Sequence, residues 1–375
     1  MIGVIGGGAF GTALAIALSS DGTDVRLWMR KDAEMVQKAR QNARRLPEIA
    51  LPKTLTVTGQ LDDLNASQAL LLALPAQQTA SFLTSNLAHL PKVPLLLCAK
   101  GIALDEMKLQ SDLVMDDRSK AILTGPGFAG EIASGLPTAL TLASQDDGLE
   151  ALQELLSRPK LRLYRSEDII GAQLGGALKN VIAIAAGIVM GAGLGESARA
   201  AVVTRGFAEM CRLAHAMGAE NNTLNGLSGL GDLMLSCASD KSRNFAFGQA
   251  LGQGATGPEQ TTEGIATAKA SVQLALLHKV DMPVAAAVAD VLGGSGGQRR
   301  CWRRMGRGAQ LSGPQPNAQH EARRSWFLLS LRRRKADRGC GGGLRFGTSR
   351  QHHRRRPLGM RRYQSCGSHV RTCHP

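Results

Sequence analysis

Lys179 stands at the head of the longest apolar stretch of the chain, Gly175-Gly176-Ala177-Leu178-Lys179-Asn180 followed by VIAIAAGIVMGAGLG, with no further charge until Glu196. An ammonium beside a run destined for a core must find a counter-charge, give up its proton more readily or face a wet cleft. Each outcome suits a lysine that gives and takes protons. The plain alternative is a stem lying along apolar surface with its head in water. Four further groups have the chemistry to work with it. Lys100 ends an apolar strand in Cys98-Ala99-Lys100-Gly101, and ligands of open α/β sheets gather at the carboxyl ends of strands. Asp232, in Gly229-Leu230-Gly231-Asp232-Leu233, can accept from a lysine or a substrate hydroxyl, or simply cap a helix. Ser242-Arg243-Asn244 precedes a helix; its donors, with unpaired helix N–H groups, suit a phosphate, and the plain alternative is a cap beside a surface arginine. Gly125-Pro126-Gly127-Phe128-Ala129-Gly130-Glu131 ends another strand and opens a helix, with few side chains to keep a ligand away from backbone.

Gly6-x-Gly8-x-x-Gly11 lies between a short apolar strand, residues 2–5, and an Ala/Leu-rich helix expected from Thr12 to Ser19. Glycines at this spacing let the chain turn tightly and approach a pyrophosphate, and the helix N-terminus offers N–H groups to it. Dinucleotide binding is the expectation. The second strand, Val25–Trp28, ends in Met29-Arg30-Lys31 where an acidic residue would favour NAD(H). Arg30 and Lys31 can pair with a 2′-phosphate, which points to NADP(H), unless they are a solvated basic pair.

These groups need a frame. Further apolar strands at residues 69–74, 94–98 and 121–124 alternate with helical or loop segments. That pattern predicts an α/β, Rossmann-type doubly wound parallel sheet. From about residue 166 strand signals give way to helical periodicity at 167–190, 197–217, 243–252 and 262–279, and Pro283 begins another helix. An all-α domain therefore follows, with a cleft expected between the two. The expected division is 1–165 for dinucleotide binding, 166–292 for substrate and 293–375 for an aberrant tail.

The net charge of +15 suggests a nucleic-acid binder until it is located. Residues 293–375 hold 20 Lys+Arg and 2 Asp+Glu, while residues 1–292 carry a net −3. No nucleic-acid partner is expected for 1–292. Near Gly293 the text becomes GGSGGQRRCWRRMGRG and later QHHRRRPLGMRR, with Arg outnumbering Lys 19 to 1. That composition is what GC-rich DNA yields out of frame, so a frameshift near codon 293 and a disordered tail are expected. The competing reading is a genuine Arg-rich extension that binds nucleic acid or membrane. Cys366-x-x-His369-x-x-x-Cys373-His374 has metal-ligand spacing, but in such text no metal is expected. Cys98, Cys211 and Cys237 sit far apart in apolar settings, as suits reduced thiols in a cytoplasmic protein. The N-terminus lacks a basic n-region, so no signal peptide is expected. The run after Lys179 is short for a membrane span and reads as a core helix.

Taken together, GGGAFGTALA, LLLCAKG, LTGPGFAGEIASGLPTAL, IGAQLGGALKNVIAIAAG, TRGFAEM, GLSGLGDL and SRNFAFGQALGQG resemble the bacterial-type NAD(P)-dependent glycerol-3-phosphate dehydrogenases, in that family's order and over residues 1–292. The resemblance implies reduction of dihydroxyacetone phosphate to sn-glycerol 3-phosphate, feeding glycerophospholipid synthesis, with NADP(H) or NAD(H) as cofactor. It implies that Lys179 is the general acid/base and that Lys100 meets both nucleotide and substrate. Gly125, Asp232, Ser242, Arg243 and Asn244 match substrate positions, and Gly127 stands at a further one. Gly6, Gly8, Ala9, Phe10, Gly11, Arg30, Ala129, Arg243 and Glu263 match nucleotide positions. Asp232 and Asn180 are expected to hold Lys179 in place. Gly127 departs from the Ser or Thr usual in the family and removes a hydroxyl from the substrate loop. The tail departs too, because the family continues with more helices. A homodimer is left open. Two other readings stand beside this one: a non-catalytic nucleotide-binding protein, and a two-domain dehydrogenase of hydroxy acids, against which the Ser-Arg-Asn group argues for a phosphorylated substrate.

Overall fold

The computed structural model describes residues 1–255 and 263–293. The expected out-of-frame tail and its Cys/His spacing lie outside the described residues from residue 294 onward. In chain order the first part holds β1 (Ile2–Ile5), α1 (Ala9–Leu18), β2 (Val25–Trp28), α2 (Ala33–Ala39), β3 (Leu55–Thr58), β4 (Leu70–Leu72), α3 (Ala76–Asn86), β5 (Leu95–Leu97), β6 (Lys120–Thr124), α4 (Ala129–Ala133), β7 (Thr138–Ala143), α5 (Leu149–Leu156) and β8 (Leu161–Ser166). The second is helical: α6 (Ile169–Gly191), α7 (Glu196–Ala216), α8 (Asn221–Asn225), α9 (Asp232–Cys237), α10 (Arg243–Gly252), α11 (Glu263–Leu277) and α12 (Pro283–Leu292). The helix expected from Thr12 begins earlier, at Ala9, because Gly8 already serves as its N-cap.

The sheet order is β3-β2-β1-β4-β5-β6-β7-β8. It is parallel except between β6 and β7, a departure from the all-parallel expectation. The link from β6 to β7 contains only the short α4, and a reversed strand does not need a full crossover helix. Both faces are covered. Val4, Leu27, Leu71 and Leu96 enter one apolar layer, while Ile5, Leu70, Leu72, Leu95 and Leu97 enter the other. Alternate side chains of a strand point to opposite faces, so uninterrupted apolar runs such as Leu95-Leu96-Leu97 mark strands buried on both sides. Each fully buried leucine is worth about 1.5–3 kcal/mol relative to exposure.

α6 is the axis of the helical part. Asp168 caps it, with Oδ1 accepting from Gly171 N at 2.7 Å and Oδ2 accepting from Glu220 N at 2.8 Å. Such a cap is worth about 1 kcal/mol. By length and composition α6 could cross a membrane, but 83% of its most apolar window is buried among the other elements. Its small residues explain the packing. A Cβ on Gly187 would stand 2.1 Å from Phe245 O, and one on Gly248 would stand 2.1 Å from Ile184 O. The backbones of α6 and α10 touch, which only glycine permits. This contact, together with the rest of the helical layer, fixes where Lys179 sits.

Candidate active site

A π-helical turn, Leu227–Gly231, delivers Asp232 to the first residue of α9. Its carboxylate is 1% exposed and joins two lysines: Oδ1 accepts from Lys179 Nζ at 2.7 Å and Oδ2 accepts from Lys100 Nζ at 2.7 Å. Lys179 also donates to Ser236 Oγ at 2.7 Å, and Lys100 to the Gly125 carbonyl at 2.7 Å. The Lys100 ammonium stands 5.6 Å from the centre of the Phe10 ring, a cation–π contact that ties the glycine-rich loop to the cluster. Asp232 is therefore not a mere helix cap. Two ammoniums share one carboxylate, leaving one net positive charge for a ligand oxygen.

Burial lowers the Lys179 ammonium from 10.5 to about 8; Asp232 pulls it back up and Lys100 pushes it down. Burial alone would raise Asp232, but Lys100 and Lys179 overcome that and hold it below the usual carboxylate range. This near-neutral lysine with an ionised partner can hold or release a proton. Burial pushes the nearby Cys237 thiol up to about 12, so it takes no part as a thiolate.

Contrary to expectation, the Asn180 side chain bonds to groups other than the Lys179 ammonium. Facing a different side of α6, it donates from Nδ2 to the Lys100 carbonyl at 2.8 Å and accepts at Oδ1 from Asn244 Nδ2 at 2.9 Å. Asn244 Oδ1 accepts from Gly264 N at 3.1 Å, and Glu263 Oε1 accepts from Ala76 N at 3.0 Å. Ser242 Oγ caps α10 by accepting from Phe245 N at 3.4 Å. Arg243, exposed, is the first residue of that helix. The adjacent Lys241 pairs with Glu131 at 2.8 Å and lies over Phe128, which brings this segment against the Gly125–Glu131 loop.

On the sheet side, the strand order reverses direction between β1 and β4, the crevice where open α/β sheets bind ligands. Gly6 adopts φ 123°, and a Cβ on Gly11 would stand 2.1 Å from Gly6 O. Around Gly8 nothing comes within 4 Å of a built Cβ, and α1 has no side-chain cap, so the first-turn N–H groups and an open approach fit a pyrophosphate. Ala9 and Phe10 open α1 beside it. Arg30 is exposed at the end of β2, outside the lysine cluster. Ala129 begins α4. A Cβ on Gly127 would stand 2.9 Å from Ile132 Cδ1, so Ile132 crowds the place of the missing side chain.

Two contributors escaped the sequence reading. Ser236 follows Asp232 by four residues, one turn of helix, and that spacing was its only signal. Asn42, buried, donates to the Gly7 carbonyl at 3.1 Å and to Thr12 Oγ1 at 2.9 Å, bracing the glycine-rich loop from 30 residues away. No local pattern announced it.

A dinucleotide crevice facing a buried lysine–carboxylate pair on a helical domain is the arrangement of a two-domain, nucleotide-dependent oxidoreductase. Residues 1–150 match the family described as NAD-dependent glycerol-3-phosphate dehydrogenase N-terminus, and residues 168–299 match its C-terminus. A glycerol-3-phosphate dehydrogenase [NAD(P)+] of Roseobacter denitrificans is 52% identical over 295 residues, 77% of this chain and 92% of that protein. Its counterpart in Paracoccus denitrificans is 52% identical over 298 residues, 78% and 93% of the two chains. The crystal structure of a glycerol-3-phosphate dehydrogenase from Coxiella burnetii is 34% identical with a TM-score of 0.76, covering 82% of this chain and 98% of that one. The chain belongs to the NAD-dependent glycerol-3-phosphate dehydrogenase family.

Proposed function

We propose that this chain reduces dihydroxyacetone phosphate to sn-glycerol 3-phosphate with NADP(H) or NAD(H), reversibly, and that Lys179 moves the proton. The observation that carries this reading is the buried Lys179 ammonium held 2.7 Å from both Asp232 and Ser236. When bound, the nicotinamide supplies the hydride for the C2 carbonyl. Negative charge then develops on the carbonyl oxygen, and Lys179 donates first a hydrogen bond and then its proton there. In reverse, neutral Lys179 takes the proton from the C2 hydroxyl. Asp232 keeps the ammonium aimed, and Lys100 adds a second positive charge beside the oxygen. General acid–base help of this kind contributes about 10²–10⁴-fold.

The substrate phosphate is assigned to Arg243 and the N-terminus of α10, where an arginine and helix N–H groups suit an anion. Gly125 and Gly127 contribute backbone to the same pocket, and Gly127 without its hydroxyl gives a weaker hold than Ser or Thr. Arg30 and Lys31, exposed at the end of β2, favour NADP(H) over NAD(H). The proposed domain division, 1–165 and 166–292, falls at the last residue of β8, just before α6. A cytoplasmic setting is supported by free thiols at Cys98, Cys211 and Cys237. Sedimentation decides whether the chain works as a homodimer.

The test is NADPH and NADH oxidation with dihydroxyacetone phosphate, alongside Lys179→Ala. The variant is expected to keep nucleotide affinity while kcat falls about 10²–10⁴-fold. Near-normal turnover in the variant would remove Lys179 from the chemistry.

A further inference from the structure

Asn42 sits in the loop between α2 and β3 and is 2% exposed. Its Nδ2 donates to the Gly7 carbonyl at 3.1 Å and to Thr12 Oγ1 at 2.9 Å. A carbonyl only accepts, so the nitrogen end of the amide must face Gly7. One side chain therefore grips both the glycine-rich loop and the start of α1. The segment that carries it is itself tied down. Arg40, at φ 52°, ends α2, and its guanidinium donates to the carbonyls of Pro52 and Leu55. Gln41 pairs with Ala50 in an antiparallel bridge. The Asn42 carbonyl accepts from Arg45 N at 3.0 Å and from Leu46 N at 2.8 Å.

A peptide group is planar and almost always trans, so its carbonyl and the next N–H point in opposite directions. Holding the Gly7 carbonyl on Asn42 thus sets the Gly8 N–H on the other side. That N–H has no acceptor among the described residues, and nothing stands within 4 Å of a Cβ built on Gly8. Gly8 is the N-cap of α1, and unpaired N–H groups at such a place suit an anion. We propose that Asn42 is a positioning residue for the cofactor: by holding the Gly7 carbonyl it aims the Gly8 N–H, together with the first-turn N–H groups of α1, at the dinucleotide pyrophosphate. Without it the Gly7–Gly8 peptide is free to turn, because neither residue has a Cβ to limit it, and the loop presents a carbonyl to the phosphate part of the time. The inference rests on dinucleotide binding at this loop and not on the identity of the ketone.

The experiment compares Asn42→Ala, Asn42→Leu and Thr12→Val with the parent in the full chain. NADPH and NADH affinities are read by cofactor fluorescence, the stability of the unliganded protein by thermal melting, and kcat and KM for dihydroxyacetone phosphate at saturating NADPH. Asn42→Leu is close to Asn in shape and has no N–H, so it serves if the alanine variant does not fold. Thr12→Val removes the other bond of the same amide and leaves Gly7 held, so it reports what a lost buried bond does by itself. For the Asn42 variants the expectation is about tenfold weaker binding of NADPH and NADH alike, the worth of one hydrogen bond, because the pyrophosphate is common to both. The kcat at saturation is expected to fall less than about threefold and KM for the ketone to move less than about twofold. Thr12→Val is expected to lower the melting temperature while changing both affinities by less than about twofold. Parent-like nucleotide affinities in the Asn42 variants would overturn the proposal. So would an equal loss of affinity in Thr12→Val, which would make the grip a matter of stability alone. A loss confined to NADPH would overturn it too, because the effect would then run through the neighbouring Arg44 and Arg45 and not through the pyrophosphate. If the parent binds nucleotide but reduces no dihydroxyacetone phosphate, the functional reading fails while the binding arms still decide the role of Asn42.

Discussion

Asp232 and Glu209 are both carboxylates buried in the helical half, 1% and 2% exposed, and they have opposite fates. Asp232 meets two ammoniums at 2.7 Å and stays below its ordinary range. Glu209, on α7, meets the N-terminus of α12: its oxygens accept from Val284 N at 2.9 and 3.0 Å and from Ala285 N at 3.2 Å. Pro283 at the head of α12 has no N–H, so the carboxylate takes the next two. Burial still pushes Glu209 up from 4.5 to about 7 against those bonds and Arg212. A helix N-terminus carries about half a charge, and that is not enough to hold a buried carboxylate in its ordinary range. Two whole charges are. The difference separates a group built to hold a charged proton carrier from one that docks a helix.

The comparison breaks most visibly at Asp232. Asp232→Ala leaves two neighbouring ammoniums with no counter-charge and is expected to cost about 3–5 kcal/mol of stability, read from denaturant melts, with loss of turnover. A loss under about 1 kcal/mol would mean that the lysines find water instead. The pH profile sharpens the same point. Lys179 titrates near 8, so the reduction rate is expected to fall about tenfold per pH unit above that value, and the oxidation rate to fall likewise below it. Initial rates in both directions across pH 6–10 (about two units either side) check this, and two arms on the same side would exclude a single lysine as acid and base. The smallest effect is expected at Glu209. In the native protein it titrates near 7, against 4.5 ordinarily. The native state therefore binds the extra proton between those values. The stabilisation is full below 4.5 and is lost as pH rises through 7. Relative to the parent, Glu209→Gln is expected to flatten that part of the melting-temperature profile by about 2–4 °C. Parallel profiles would show that the carboxylate does not titrate in this window.

Much of this molecule was legible before its structure. Five of the eight strands, β1, β2, β4, β5 and β6, and helices such as α6, α7 and α10 follow from apolar runs and period, because those signals lie within one element. β3, β7 and β8 escaped, since LTVT, TALTLA and LRLYRS carry too few apolar residues in a row to stand out from loops. Their strand state is set by the neighbours that take up their backbone bonds. Among the site residues, Lys179, Lys100 and Asp232 were visible as charges in awkward places. Ser236, Asn42 and the hydrogen bond from Asn244 to Asn180 were not, because a Ser or Asn carries no sequence signature of the distant group it meets.

By itself the sequence determined the dinucleotide loop, the order of an α/β part and a helical part, and a lysine at the head of an apolar helix. Each of these depends on residues a few positions apart, through backbone sterics and helix or strand period. Only the tertiary structure decided what that lysine meets. Its partners lie 53 and 57 residues away, and Lys100 reaches Asp232 across 132. Such pairs are selected by the close backbone contact of α6 and α10, by the packing of α9 on α6, and by the electrostatic cost of burying three charges unless they meet.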